Sequence, residues 1–125
     1  MQNDKEKFKM EFSKRLINFS VHIVRFCSAL RQSRDLVAIA DQLIRSGTSI
    51  GANVVEAKAS SSKREYVKFF EIALKSANET KYWLIIVREC SYVNSEKAVE
   101  LLQEATELAK ILGSGILTMK GKKEF

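Results

Sequence analysis

The segment 45–57, RSGTSIGANVVEA, decides the fold because it places residues that disfavour helices inside a helical pattern. Leu43, Gly47 and Ile50 recur in steps of four and three, which is the spacing of one helix face. Each interior glycine costs roughly 1 kcal/mol relative to alanine, and Ser, Thr and Asn compete for the backbone hydrogen bonds. Since Gly47 and Gly51 lie four residues apart on one face, we predict that a neighbouring helix packs closely there and offsets this cost.

Helical periodicity extends on both sides of this segment and predicts four helices, at about residues 5–31, 34–59, 63–91 and 95–118. Their apolar series are, in chain order, Phe8, Phe12, Leu16, Phe19, Ile23, Phe26 and Leu30; Leu36, Ala40, Leu43, Gly47, Ile50, Val54 and Ala57; Tyr66, Phe69, Ala73, Ser76, Thr80, Trp83, Val87 and Cys90; and Ala98, Leu101, Ala105, Leu108, Leu112, Gly115 and Met119. Short connections force neighbouring helices to be antiparallel. We therefore expect an all-α, single-domain, antiparallel up-down-up-down four-helix bundle over residues 1–119 and a basic tail at 120–125.

Polar residues between the series predict where the helices begin. Ser33 is a candidate N-cap for the second helix. Ser62, with Glu65 three residues later, forms a capping-box pattern for the third helix. Asn94 or Ser95 is expected to cap the fourth helix.

Composition excludes several classes of protein. The chain has 125 residues, 46% of them hydrophobic, with no proline, which permits long uninterrupted helices. No apolar run reaches the length of a membrane span, and the charged start does not resemble a signal peptide. Neither Cys27 nor Cys90 has metal-type spacing, so we expect two buried thiols in a cytoplasmic protein with no metal and no cofactor.

The net charge of +6 is unevenly distributed. Residues 1–33 carry seven Lys and Arg against three acids, and residues 60–90 carry six against four. The other two segments, 34–59 and 91–125, are each neutral. This bias predicts basic patches on the first and third helices that could bind phosphates without sequence preference. The alternative interpretation is that these are ordinary solvated faces.

The segments 45–57 and 72–84 resemble a bacterial family of four-helix bundles first recognised as proteins encoded in intervening sequences of large-subunit (23S) ribosomal RNA genes. The chain is also similar to the accessory proteins of diversity-generating retroelements. The resemblance covers roughly residues 10–118, and its motif is matched by Ser49, Ile50, Asn53, Glu56, Ser76 and Glu79. It implies a homopentameric ring, and the retroelement members imply binding to nucleic acid and to a reverse transcriptase.

Polar residues on the second and third helices predict a structural network. Glu79 lies on the predicted stripe of Ile72, Ser76 and Trp83, where a carboxylate must be hydrogen-bonded or paired. We interpret the set as an interhelical network that fixes helix register, composed of Ser49, Asn53, Glu56, Ser76 and Glu79. The alternative is that Glu79 is a catalytic acid, but no nucleophile, second carboxylate or metal-ligand set accompanies it.

No enzyme is predicted. His22 is the only histidine, and the residues after it lack the Lys-Gly turn expected of a phosphotransfer bundle, so we interpret it as a surface residue. The candidate nucleic-acid-binding residues lie on the polar stripes of the first and third helices and are Lys14, Arg15, Arg25, Arg64, Lys68 and Lys75.

The expected function is a non-enzymatic, homo-oligomeric, RNA-associated protein that uses a basic belt for phosphate contacts on RNA or DNA. Surplus apolar residues outside the main series predict the oligomer; they are Ile17, Val21, Val24, Ile72 and Ile86. The alternative function is a structural oligomeric scaffold that binds a protein partner and has no role with nucleic acid. No membrane partner is expected.

Overall fold

The absence of proline and the spacing of apolar residues produce long helices. The computed structural model describes residues 3–121 and is all-helical in this range, without strands. The four long helices are α1 Asp4–Leu30, α2 Val37–Lys58, α3 Lys63–Cys90 and α4 Ser95–Gly121. A short 3-10 turn, Arg34–Leu36, precedes α2.

Side-chain caps set the starts of two helices. The Asn3 side chain accepts a hydrogen bond from the Glu6 N–H at 2.8 Å, and the Ser62 hydroxyl accepts one from the Glu65 N–H at 3.1 Å. Each cap satisfies one backbone donor that has no partner inside its helix. Ser33 makes no side-chain capping bond, and it precedes the 3-10 turn rather than α2 itself.

The predicted end of α4 is corrected by the structure. The helix continues to Gly121, so Lys120 belongs to α4 rather than to a tail. The remainder of the predicted tail, residues 122–125, lies outside the described residues.

The buried core follows the predicted series in three of the four helices. In α2 and the 3-10 turn before it, every member of the series from Leu36 to Ala57 is buried. In α1 the series is buried from Phe12 to Leu30, whereas Phe8 is exposed. In α4 the series is buried except for Gly115, which is half-buried, and Ala109 and Ile116 are buried in addition.

The predicted stripe of α3 is only partly correct: Ala73, Thr80 and Val87 are buried as predicted, but its aromatic members are out of phase with the core. The buried residues of this helix are Val67, Phe70, Ala73, Ala77, Thr80, Leu84 and Val87. Tyr66, Phe69 and Trp83 are half-buried, and Cys90 is exposed. These three aromatic residues lie at the edge of the core, where a ring can be partly covered and still reach water. Their hydrophobicity therefore shifted the prediction by one residue at these positions, to the neighbours of Val67, Phe70 and Leu84, which is about 100° around the helix.

Helix contacts place α1 and α3 at opposite corners. Helix α2 packs against both α1 and α3, and α4 packs against both α3 and α1. The core of the single domain lies between the four helices. Within residues 3–121, no helix is long and apolar enough to cross a membrane.

The two cysteines have different environments. Cys27 is fully buried, and burial raises the pKa of its thiol to about 11. Cys90 is exposed at the end of α3. The prediction of two buried thiols is therefore wrong for Cys90, because it depended on the misplaced α3 stripe.

Candidate nucleic-acid interface

The exposed face of α3 carries a row of cations. Arg64, Lys68 and Lys75 are all exposed, and their spacing of four and seven residues keeps them on one side of the helix. Among residues 3–121 no carboxylate forms an ion pair with any of the three. Their charges are therefore available to an anionic partner.

The acid that interrupts this row is neutralised from α4. The Lys120 ammonium lies 2.7 Å from a Glu71 carboxylate oxygen. The pair borders an open concavity of about 610 Å³ between the start of α3 and the end of α4, lined by Lys63, Arg64, Val67, Lys68, Glu71 and Lys120. Four of these six residues are cationic and one is acidic, so the concavity is electropositive. Lys120 was not among the predicted residues of this surface, because it was assigned to the tail.

On α1 only two of the three predicted cations are available. Lys14 and Arg25 are exposed. Arg15 instead donates two hydrogen bonds to Glu104 on α4, from Nη2 at 2.7 Å and from Nε at 3.0 Å. This hydrogen bonding raises the pKa of Arg15, with burial acting in the opposite direction. Because this geometry already satisfies the guanidinium, Arg15 is better described as a link between α1 and α4.

The α1 and α3 cations do not form one patch on a protomer. The two helices are diagonal, with α2 and α4 between them. Exposed side chains of diagonal helices point away from one another. A continuous basic belt would therefore require more than one copy of the chain.

Three of the five predicted network residues come together between α2 and α3. The Asn53 amide nitrogen donates to both the carbonyl oxygen and the hydroxyl of Ser49, each at 2.8 Å. The Ser76 hydroxyl donates to the Ser49 hydroxyl at 3.0 Å. One turn away, the buried hydroxyls of Thr80 and Ser46 are hydrogen-bonded at 3.0 Å. The predicted apolar series of α3 included Thr80, but no sequence pattern predicted its hydrogen bond with Ser46.

Both predicted acidic members of the network lie outside it. Glu56 is exposed and makes no side-chain hydrogen bond with the described residues. Glu79 is also exposed, and it accepts a hydrogen bond from Trp83 Nε1 at 3.1 Å. The correction for Glu79 follows from the phase of α3, because the residue beside Thr80 is rotated out of the core.

An apolar surface lies between α1 and α2. Ile17, Val21 and Val24 are exposed on α1, as predicted from the surplus apolar residues. On α2, Val55 is 67% exposed beside them. Ile17, Val21 and Val55 help to line an open groove of about 300 Å³. The other two surplus residues, Ile72 and Ile86 of α3, are half-buried in the protomer and contribute less free surface.

An exposed aromatic ring continues the basic row of α3. Tyr82 is 56% exposed and follows Asn78 by four residues, which keeps it on the same face as Lys75. Its ring packs edge-on against Trp83, with the ring centroids 5.1 Å apart. Tyr82 was not among the predicted site residues, although extending the row by one helical turn reaches it.

The remaining chemistry of the described surface is sparse. His22 is exposed on α1. Within residues 3–121 no three or more His, Cys, Asp and Glu side chains are grouped so as to hold a metal ion.

These features define a small all-helical protein with separate basic and apolar surfaces. A model of the family described as 23S rRNA-intervening sequence protein matches residues 9–114, and the chain belongs to this family. A crystal structure at 1.70 Å of a protein with unknown function from the S23 ribosomal protein family of Bacteroides thetaiotaomicron VPI-5482 is similar, with 35% sequence identity and a TM-score of 0.79. The similarity covers 84% of this chain and 97% of that chain. No curated protein matches this chain.

Proposed function

We propose that this protein is a non-enzymatic, oligomeric nucleic-acid-binding protein that acts on or beside RNA. The observation that carries the proposal is the row of exposed cations on α3, Arg64, Lys68 and Lys75, none of which has an acidic partner among the described residues. Lysine and arginine on a helix face contact phosphates rather than base edges, so binding would be largely independent of sequence. The family description associates these proteins with an rRNA intervening sequence, and on that association we choose RNA as the ligand to test first.

The proposed topology is an antiparallel up-down-up-down bundle. Sequence numbers run in opposite directions along the contact between α2 and α3. Ser46 contacts Thr80, and Ser49 contacts Ser76. The contact of Lys58 with Ser13 at 2.8 Å pairs the end of α2 with the first half of α1. Antiparallel neighbours are also what the short connections favour.

The proposed assembly is a homo-oligomer, with a pentameric ring implied by the resemblance to the intervening-sequence family. The exposed apolar residues between α1 and α2, Ile17, Val21, Val24 and Val55, support association because exposed apolar patches commonly mark interfaces. A ring would also repeat each weak phosphate contact, which raises avidity without new chemistry. Light scattering that gives the mass of a monomer, about 14.2 kDa, at micromolar concentration would contradict this proposal.

The proposal also covers the evolutionary relationship of the protein and its location in the cell. A relationship to the accessory proteins of diversity-generating retroelements, and placement in the cytoplasm, both remain predictions. The genes that flank this one test the first, since a retroelement member would lie beside a reverse transcriptase.

Binding to nucleic acid is tested by salt dependence and by a matched pair of charge reversals. The test variant is Lys68→Glu with Lys75→Glu, and the control is Lys97→Glu with Lys110→Glu. The control changes net charge equally but alters α4 lysines that already pair with Glu100 and Glu107. We expect wild-type affinity to fall steeply as salt rises, because each neutralised phosphate releases counterions. The α3 variant should lose most low-salt binding, whereas the α4 variant should lose little.

The contribution of α1 is tested separately with Lys14→Glu and Arg25→Glu. Arg15 is left unchanged, because reversing it would place two carboxylates together against α4. Absence of RNA and DNA binding at low salt, or equal losses in the α3 and α4 variants, would overturn the proposed function.

The alternative function is an oligomeric scaffold that binds a protein partner. The apolar groove between α1 and α2 favours it, because apolar grooves commonly accept a partner's side chains. Replacing Val55 with Lys would test this alternative, since it should abolish partner capture without changing the oligomer mass measured by light scattering. A changed mass would assign the groove to the subunit interface instead.

A further inference from the structure

One face of α3 combines separated cations with an exposed aromatic ring. In chain order the face carries Arg64, Lys68, Glu71, Lys75, Asn78 and Tyr82, all of them exposed. Successive steps of four, three, four, three and four residues keep the six side chains in line along the helix. At 1.5 Å per residue, the row from Arg64 to Tyr82 is about 27 Å long.

The single acid in this row is already compensated. Glu71 pairs with Lys120 at 2.7 Å, so it adds little net repulsion toward a phosphate. The Asn78 amide lies between Lys75 and Tyr82 and can donate hydrogen bonds to phosphate or sugar oxygens. The row therefore offers donors along its whole length and an aromatic surface at one end.

Tyr82 is held with part of its ring open to solvent. The ring meets Trp83 edge-on, with an interplanar angle of 73°. Trp83 is in turn half-buried against the core and donates from Nε1 to Glu79. These contacts fix one side of the tyrosine and leave the side chain 56% exposed.

We propose that the exposed α3 face, from Arg64 to Tyr82, binds single-stranded RNA, with an unpaired base stacked on the Tyr82 ring. This inference rests on the proposed function and names its ligand class. Basic residues alone contact single strands and duplexes alike. An exposed ring beside a phosphate-binding row distinguishes them, because the bases of a duplex are stacked on each other and not free to stack on protein.

The test compares one RNA strand with its own duplex. Fluorescence anisotropy at low salt would measure the affinity of a labelled 20-nucleotide RNA, alone and annealed to its complement. The variants are Tyr82→Ala, Tyr82→Phe, which keeps the ring, and Tyr92→Ala as the matched control. Tyr92 is 98% exposed in the turn between α3 and α4 and lies outside the row.

We expect Tyr82→Ala to weaken single-strand binding by about 5- to 140-fold, the usual size of one base–aromatic stack. Duplex affinity should change less than about twofold, and Tyr82→Phe and Tyr92→Ala should both bind the single strand as the wild type does. The oligomer mass, measured by light scattering, should be the same for all variants.

Other results overturn the inference in distinguishable ways. If the protein binds neither RNA, the proposed function fails and this inference fails with it. If both RNAs bind and Tyr82→Ala weakens them equally or not at all, only the stacking inference fails. A changed oligomer mass in Tyr82→Ala would instead identify the ring as part of a subunit contact and would also overturn it.

Discussion

The two contact faces of α2 pack closely against neighbouring helices through different interactions. Toward α1 the contact is dry, and a β-carbon added at Gly47 would lie 2.8 Å from Ile23 Cγ2. Toward α3 the contact is polar, with hydroxyls of Ser46 and Ser49 bonded to Thr80 and Ser76. The comparison explains the unusual composition of the 45–57 segment: glycine permits close approach on one face, and small hydroxyl residues supply hydrogen bonds on the other.

The largest expected effect comes from filling the dry face. Gly47→Leu should lower the free energy of unfolding by about 1–3 kcal/mol, because Ile23 is fully buried and cannot move aside without cost. Urea denaturation at one fixed protein concentration measures it, since oligomerisation would couple stability to concentration.

The two glycines give a matched control for this effect. At Gly51 an added β-carbon would lie 3.5 Å from Leu16 Cβ, which is ordinary contact. Gly51→Ala should therefore stabilise the protein by up to about 1 kcal/mol through helix propensity, whereas Gly47→Ala should not. Equal gains in both alanine variants would show that the α1 contact is not close at Gly47.

Most of the fold could be predicted from sequence, and the errors have a common cause. The α1, α2 and α4 series contain only apolar residues and glycine at the spacing of one helix face, so their buried stripes could be predicted from periodicity. In α3 the large rings of Tyr66, Phe69 and Trp83 lie at the core boundary, and periodicity cannot separate a boundary ring from a buried one. Glu79 was misplaced with them.

The candidate site was less predictable because its key contacts join residues distant in sequence. Exposure of Arg64, Lys68 and Lys75 follows from helix geometry alone. The engagement of Arg15 by Glu104, and of Glu71 by Lys120, depends on tertiary packing. Likewise, the sequence presents Gly47 and Gly51 as equivalents, and only the position of Ile23 distinguishes them.

The second-largest expected effect comes from the polar face of α2. The Thr80 hydroxyl is fully buried and lies 3.0 Å from Ser46 Oγ. Thr80→Val should cost about 1 kcal/mol, since it leaves Ser46 without its interhelical partner. Thr48→Val is the matched control on α2, because the Thr48 hydroxyl bonds only to the Ile44 carbonyl of its own helix. A Thr80→Val loss no larger than that of Thr48→Val would mean that the buried pair adds no specific stability.

A smaller effect should appear as coupling between Ser49 and Ser76. In a double-mutant cycle of the two alanine substitutions, we expect an interaction energy of at least about 0.5 kcal/mol, because each single change already removes their shared bond. The cycle of Ser49→Ala with Glu79→Gln should be additive within about 0.5 kcal/mol, since Glu79 bonds to Trp83 instead. A larger interaction energy in the second cycle would show that Glu79 does belong to the polar network between α2 and α3.

The smallest change in stability at neutral pH is expected from the ionisation of Cys27 on the dry face. This thiol is buried near the Arg31–Asp41 ion pair that links α1 with α2. Cys90 should react with a thiol reagent at pH 8, whereas Cys27 should not react until the protein unfolds.

Burial raises the Cys27 pKa from 9.0 to about 11, so the folded state holds this proton more tightly than the unfolded state does. The resulting stability is fully present below pH 9 and is lost as pH rises toward 11. The free energy of unfolding of the wild type should therefore fall more steeply over that interval than that of Cys27→Ala, and parallel curves would show that water reaches the α1–α2 contact.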